Sequence, residues 1–132
     1  MAPTIDRAQI EKIERQVPGE DVGKIAEYLQ ETLGQKLTAY ICGLNDQKMV
    51  GQWIHGKVKP KGLMTLARLK EAYKATRWIV KAFDKETAKS WFFGTNTRLG
   101  DQSPAFLLRH ANSIDDIQLV APAAKAFALA TE

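Results

Sequence analysis

Apolar side chains recur at helical spacing along this chain, and no segment alternates as a half-buried strand requires. Val22, Ile25, Leu29 and Leu33 form one stripe, as do Ile10, Ile13 and Val17. A longer series, Leu63, Leu66, Leu69, Tyr73, Val80 and Phe83, keeps near-helical spacing over about twenty residues. The pattern predicts an all-α fold. With 132 residues and 45% hydrophobic content, the chain can bury a core, and its length suits one domain or two very small ones.

Punctuation residues divide the pattern. A first helix, capped by Thr4, is expected to run to about Gln16 and stop at Pro18-Gly19. A second starts near Asp21 and breaks at Gly34. A third spans Gln35 to Cys42, with Leu37, Tyr40 and Ile41 inward. Gly43-Leu44 then turns the chain, Asp46 caps a fourth helix, and that helix ends about His55. Gly56 to Gly62 is a loop. The long helix follows, and Asp84 interrupts it and begins another through Trp91-Phe92. Gly94 to Ser103 reads as a loop. Pro104 suits the first turn of a helix carrying Phe106, Leu107 and Leu108. Ser113-Ile114-Asp115-Asp116 resembles a capping box, and Pro122 kinks or restarts a last helix from Ala123 to Ala130.

Charge narrows the function. The net charge is only +4, yet residues 47–70 hold six basic side chains and no acidic one: Lys48, Lys57, Lys59, Lys61, Arg68 and Lys70. A local basic patch in a nearly balanced chain suits a polyanion partner. The fourth helix lies in this window. Val50, Trp53 and Ile54 share its inward face, which makes Trp53 a core residue rather than a base-stacking one. Gln47, Lys48, Gly51, Gln52 and His55 are left outward. A short helix after a glycine turn, followed by Lys57, Lys59 and Lys61, is how a helix-turn-helix presents a reading helix and a phosphate clamp. Gln47, Lys48, Gln52 and His55 are the candidate groove contacts, and the three loop lysines are the candidate phosphate contacts. A homodimer is expected, because one reading helix gives little specificity alone.

Other function classes find little support. His55 and His110 lie in different segments without a spaced metal partner. Asp115 and Asp116 are adjacent, so on a helix they point apart and cannot act as a couple across a substrate. The glycines at 94 and 100 follow no strand, so no phosphate-binding loop is present. Neither catalysis nor a metal or cofactor is expected. Cys42, the single cysteine, excludes an internal disulfide and a cysteine-ligated zinc site, and reads as a small core residue. No apolar run approaches the roughly 18 residues of a membrane span. Met-Ala-Pro-Thr-Ile-Asp lacks the features of a signal peptide, so a cytoplasmic location is expected.

Two segments carry a resemblance. Val50-Gly51-Gln52-Trp53-Ile54-His55-Gly56-Lys57-Val58-Lys59-Pro60 resembles the end of the reading helix in Xre/Cro-type regulators, V-x-x-W-x-x-G-x-x-x-P. Trp91 to Leu108 resembles the toxin-binding domain of Xre/MbcA/ParS-type antitoxins, with matches at Trp91, Asn96, Leu99, Pro104, Leu107 and Leu108. It departs from that pattern at Asp101, where glycine is usual and Gly100 precedes it. The resembling stretches cover roughly residues 33–60 and 76–121. The resemblance implies a type II antitoxin. Residues 1–75 would be a helix-turn-helix DNA-binding domain and residues 76–132 a toxin-binding domain. Such a protein neutralises a RES-domain toxin that acts on NAD, and represses its own operon by binding operator double-stranded DNA.

By the same resemblance, the toxin would meet Trp91, Asn96, Leu99, Asp101, Pro104, Leu107, Leu108, Phe127 and Glu132, with Ala130-Thr131-Glu132 the candidate to block entry to its active site. Locally, Asn96 reads as a turn residue, and Trp91, Leu99, Leu107 and Leu108 read first as core. The alanine-rich last helix, with Phe127 and Leu129, packs on its own domain or buries in a partner. One alternative is an Xre-like regulator without a toxin. Another is an interaction module that no longer binds DNA.

Overall fold

The computed structural model describes residues 5–130. The fold is all-α. Among the described residues there is no strand, and the only bridge pairs Asn96 with Gln102 across a loop.

Helix α1 (Arg7–Gln16) begins at Asp6, whose carboxylate accepts from the Gln9 N–H while the Gln9 side chain accepts from the Asp6 N–H. This reciprocal cap replaces the expected Thr4 cap, which lies outside the described residues. A 3-10 turn, Val17–Gly19, closes it at the Pro-Gly pair. Helix α2 (Val22–Leu33) is capped by Asp21 and buries Ile25, Leu29 and Leu33. Gly34 ends α2 and starts α3 (Gln35–Ile41) at φ +92°, a backbone conformation that glycine adopts without steric cost. Helix α4 (Lys48–Ile54) follows the Gly43 turn.

Helix α5 (Leu63–Ala82) is the axis of the molecule. It packs on α1, α2, α3 and, most extensively, α9 (Val120–Leu129). Between them come α6 (Lys85–Phe93), capped by Asp84, and α7 (Pro104–His110), capped by Ser103 with Pro104 in its first turn. The short α8 (Ile114–Ile117) follows, with the Ser113 hydroxyl accepting from the Asp116 N–H. Trp78, fully buried on α5, donates its indole N–H to the Ile10 carbonyl and fixes α1.

The boundary expected at residue 75 falls inside α5. Leu69, Ala72 and Tyr73 before it, and Trp78 and Ile79 after it, belong to one core cluster that runs from Ile5 to Ala128. No break in packing marks the division. The last helix also differs from its expected bounds. It begins at Val120 and runs on through Pro122, which does not restart it. Pro122 sits in the first turn, where backbone N–H groups have no intrahelical acceptor to lose. No helix among the described residues is long and apolar enough to cross a membrane.

Candidate nucleic-acid interface

The α3–turn–α4 segment is built by local hydrogen bonds. The Gly43 N–H donates to the Tyr40 carbonyl and the Leu44 N–H to the Ala39 carbonyl, which turns the chain after α3. Asp46 then caps α4 one position ahead of the formal cap residue, Gln47. Its carboxylate accepts from the Lys48 N–H at 2.9 Å, and its carbonyl accepts from the Met49 N–H. At the far end, Gly56 takes φ +73° and the Lys57 N–H returns to the Gln52 carbonyl, stopping the helix.

Val50 and Trp53 are buried and Ile54 half-buried, so the apolar side of α4 is spent on the core. Trp53 is thereby unavailable for stacking on a base. Gln47, Lys48, Gln52 and His55 are all exposed, as are Lys57, Lys59 and Lys61 in the following loop. The seven expected DNA-facing residues are therefore all exposed, within a run of sequence from 47 to 61 that holds no acidic side chain.

Helix α4 is seated on α2 through Gly23. A methyl group at Gly23 would lie 3.1 Å from the Trp53 carbonyl oxygen and 3.4 Å from that of Ile54. The N-terminal end of α2 thus abuts the carbonyl end of α4, an arrangement in which the two helix dipoles attract. Sequence reasoning assigned Gly23 no role, because its neighbour across the helix pair lies thirty residues away.

One basic residue of the window faces inward. Arg68 on α5 donates from Nε to the Leu108 carbonyl at 2.6 Å and from Nη2 to the Ala111 carbonyl at 3.1 Å. It caps the end of α7 rather than lying free for phosphate. Arg109 on α7 reaches the other way. Its Nη1 donates to the Tyr40 carbonyl at 2.9 Å and the Leu44 carbonyl at 3.2 Å, and its Nη2 to the Asn45 side chain at 3.3 Å. The guanidinium also lies 4.7 Å from the Tyr40 ring centroid. The turn that precedes α4 is therefore tied to α7.

No protein-family model, curated protein or solved structure matches this chain.

The residues expected to meet a toxin divide by burial. Leu99, Pro104, Leu107 and Leu108 are buried in the chain's own core. A partner would meet the surface they shape, not their side chains. Asn96 fixes the loop after α6. Its side chain accepts from the Arg98 N–H at 2.9 Å and its carbonyl accepts from the Leu99 and Asp101 N–H groups. This caps the 3-10 turn Thr97–Leu99. Asp101 is exposed and holds φ +64°, directly after Gly100 at +66°. The position where the resembled domain carries glycine is thus a left-handed one, which aspartate tolerates better than most residues. Trp91 is half-buried against Phe92 and Phe127, and Phe127 leans on Phe83 with centroids 5.3 Å apart. Glu132 lies outside the described residues.

Sequence reasoning missed Phe93 and Phe106, which are exposed on α6 and α7. Their neighbours Phe92 and Leu107 are buried, and only the tertiary arrangement separates the two sets. Cys42 is buried, and burial pushes its thiol up to about 12, so it is an inert packing residue.

Proposed function

We propose that this protein is an antitoxin that binds operator DNA through a helix-turn-helix made by α3 and α4, and neutralises a RES-domain toxin acting on NAD through its C-terminal part. The observation that carries the DNA half is the seating of α4. Its apolar side is consumed by the core, while Gln47, Lys48, Gln52 and His55 face solvent beside an acid-free loop with three exposed lysines. Amide and ammonium groups near the start of such a helix reach base edges, and lysines just beyond it hold phosphates. The toxin half is supported by the resemblance of Trp91 to Leu108. A homodimer would pair two reading helices on half-sites.

The test is co-expression with the neighbouring open reading frame, followed by DNA binding of the purified chain to the fragment upstream of both. Growth arrested by the neighbour and restored by this chain, with a stable complex, supports the antitoxin reading. A harmless neighbour that does not co-purify leaves an Xre-like regulator without a toxin. On DNA, Lys48→Ala or Gln52→Ala should change operator preference. Joint replacement of Lys57, Lys59 and Lys61 by alanine should weaken binding to every sequence. It should also flatten the slope of log affinity against log salt by up to ~2.7, since each phosphate that a lysine neutralises adds about 0.9 to that slope. Equal losses from both classes on a scrambled site would defeat this division of labour.

A further inference from the structure

A groove of about 610 Å³ opens between α3 on one side and α6 and α7 on the other. Its walls are apolar: Leu33, Leu37 and Tyr40 face Phe93, Ala105 and Phe106. Two of these are costly to leave in water. Phe93 is 62% exposed and Phe106 46%. The Phe106 ring is also held in place, stacked on His110 with centroids 4.0 Å apart, and the His110 Nδ1 hydrogen-bonds the Phe106 carbonyl at 3.0 Å. The charged residues lining the groove are Lys36 and Lys89, and no carboxylate joins them. Both lysines are exposed.

We propose that this groove seats a segment of the protein partner, one that carries apolar anchors flanked by carboxylates. The inference rests on the toxin-binding reading and assigns it a surface. Three features select this occupant. An exposed aromatic ring that is already oriented, as Phe106 is by His110, acts as an anchor, because little side-chain freedom is lost when it is covered. A rim of two ammonium groups with no counter-charge favours a partner that supplies carboxylates and disfavours a basic one. A volume of about 610 Å³ accommodates a few side chains, so it takes a segment of a partner rather than a folded domain.

DNA is excluded as the occupant by the apolar walls. The groove is also distinct from the reading surface, since none of the exposed residues of α4 and its loop lines it.

The neighbour-encoded protein co-expressed with the full-length chain supplies the probe. Phe93→Ser with Phe106→Ser should weaken capture by about 100-fold or more, as truncation of two anchor residues does at other interfaces. Operator binding should stay at its wild-type value and the melting temperature should fall by only a few degrees, because Phe93 is largely exposed and Phe106 about half exposed in the free chain. Lys36→Glu with Lys89→Glu should weaken capture by about tenfold or more and reduce its salt dependence. A photo-crosslinking residue at position 106 should label an acidic, apolar segment of the partner.

Each contrary result has a separate meaning. Full capture by both double variants overturns the groove while leaving the antitoxin reading intact. Absence of capture by the wild-type chain overturns the reading and the groove with it. If crosslinks join only two copies of this chain, and the phenylalanine variant changes sedimentation but not capture, the occupant is a second copy and the proposal fails.

Discussion

Glu71 is a buried carboxylate, and its position fixes the start of a helix fifty residues away. It is 5% exposed, its Oε2 accepts from the Ala121 N–H at 2.6 Å, and its Oε1 lies 3.8 Å from the Lys74 ammonium. Burial raises its carboxyl above the ordinary range, and the bond from Ala121 and the charge of Lys74 only partly oppose this. The sign of the pH effect follows. Below the unfolded value of about 4.3, the group is protonated in both states and burial carries no charge penalty. As pH rises through the raised folded value, the unfolded chain sheds the proton first and stability falls. Asp84 acts in the opposite sense. The bonds from Thr87 lower its carboxyl, so its contribution is present at higher pH and is lost on acidification. Glu71→Gln keeps an acceptor for Ala121 and removes the charge. Its melting temperature relative to wild type should therefore rise between about pH 4 and pH 7. Parallel profiles for the two proteins would contradict a raised carboxyl at Glu71.

Among the elements, most helices were legible because their causes are local. Asp21, Asp84 and Ser103 each cap the helix that follows, and the apolar stripes of α2 and α5 are written at fixed spacing. The start of α9 was not legible. Its first turn is capped by the Glu71 carboxylate across the fold, while the local signal, Pro122, suggested a start three residues late. The proposed reading surface shows the same split. The exposure of Lys48 and Gln52 follows from the spacing of Val50 and Trp53, but the close approach that seats α4 on α2 depends on Gly23. That approach separates two expectations for Gly23→Ala. Helix propensity alone would stabilise α2 by about 0.5–1 kcal/mol. Against it, the new methyl would sit 3.1 Å from a carbonyl oxygen of α4, which backbone cannot easily yield, and overpacking costs about 1–3 kcal/mol. We expect net destabilisation of about 1 kcal/mol in a denaturant titration and, on the proposed DNA-binding role, weaker operator binding from a displaced α4. A stabilised variant with unchanged DNA affinity would show that the helix pair yields easily at this point.

At the scale of the whole molecule, the two guanidinium clamps decide whether the basic surface and the α6–α7 surface behave as one body. A helix C-terminus leaves carbonyls unpaired and carries partial negative charge, so a half-buried arginine there serves both needs. Arg68 closes α7 from α5, and Arg109 closes α3 and its turn from α7. Neither partner pair was visible in the sequence. Each joins segments at least forty residues apart, and the basic run around Arg68 pointed to solvent instead. The core runs without a gap beneath both clamps, through α5. From this follows a single cooperative transition. Tryptophan fluorescence, which senses Trp53 on α4, Trp78 on α5 and Trp91 on α6, should change with the same midpoint as helical circular dichroism. Arg109→Met keeps much of the side-chain volume but removes the guanidinium donor from the Leu44 carbonyl and leaves the Tyr40 carbonyl only its bond from the Gly43 N–H. It should lower stability by about 2 kcal/mol, as removal of a charged hydrogen-bond donor does, and shift both signals together. Two separated transitions in the wild-type chain, or a fluorescence shift without a matching loss of helix in the variant, would mean that the halves on either side of residue 75 fold independently.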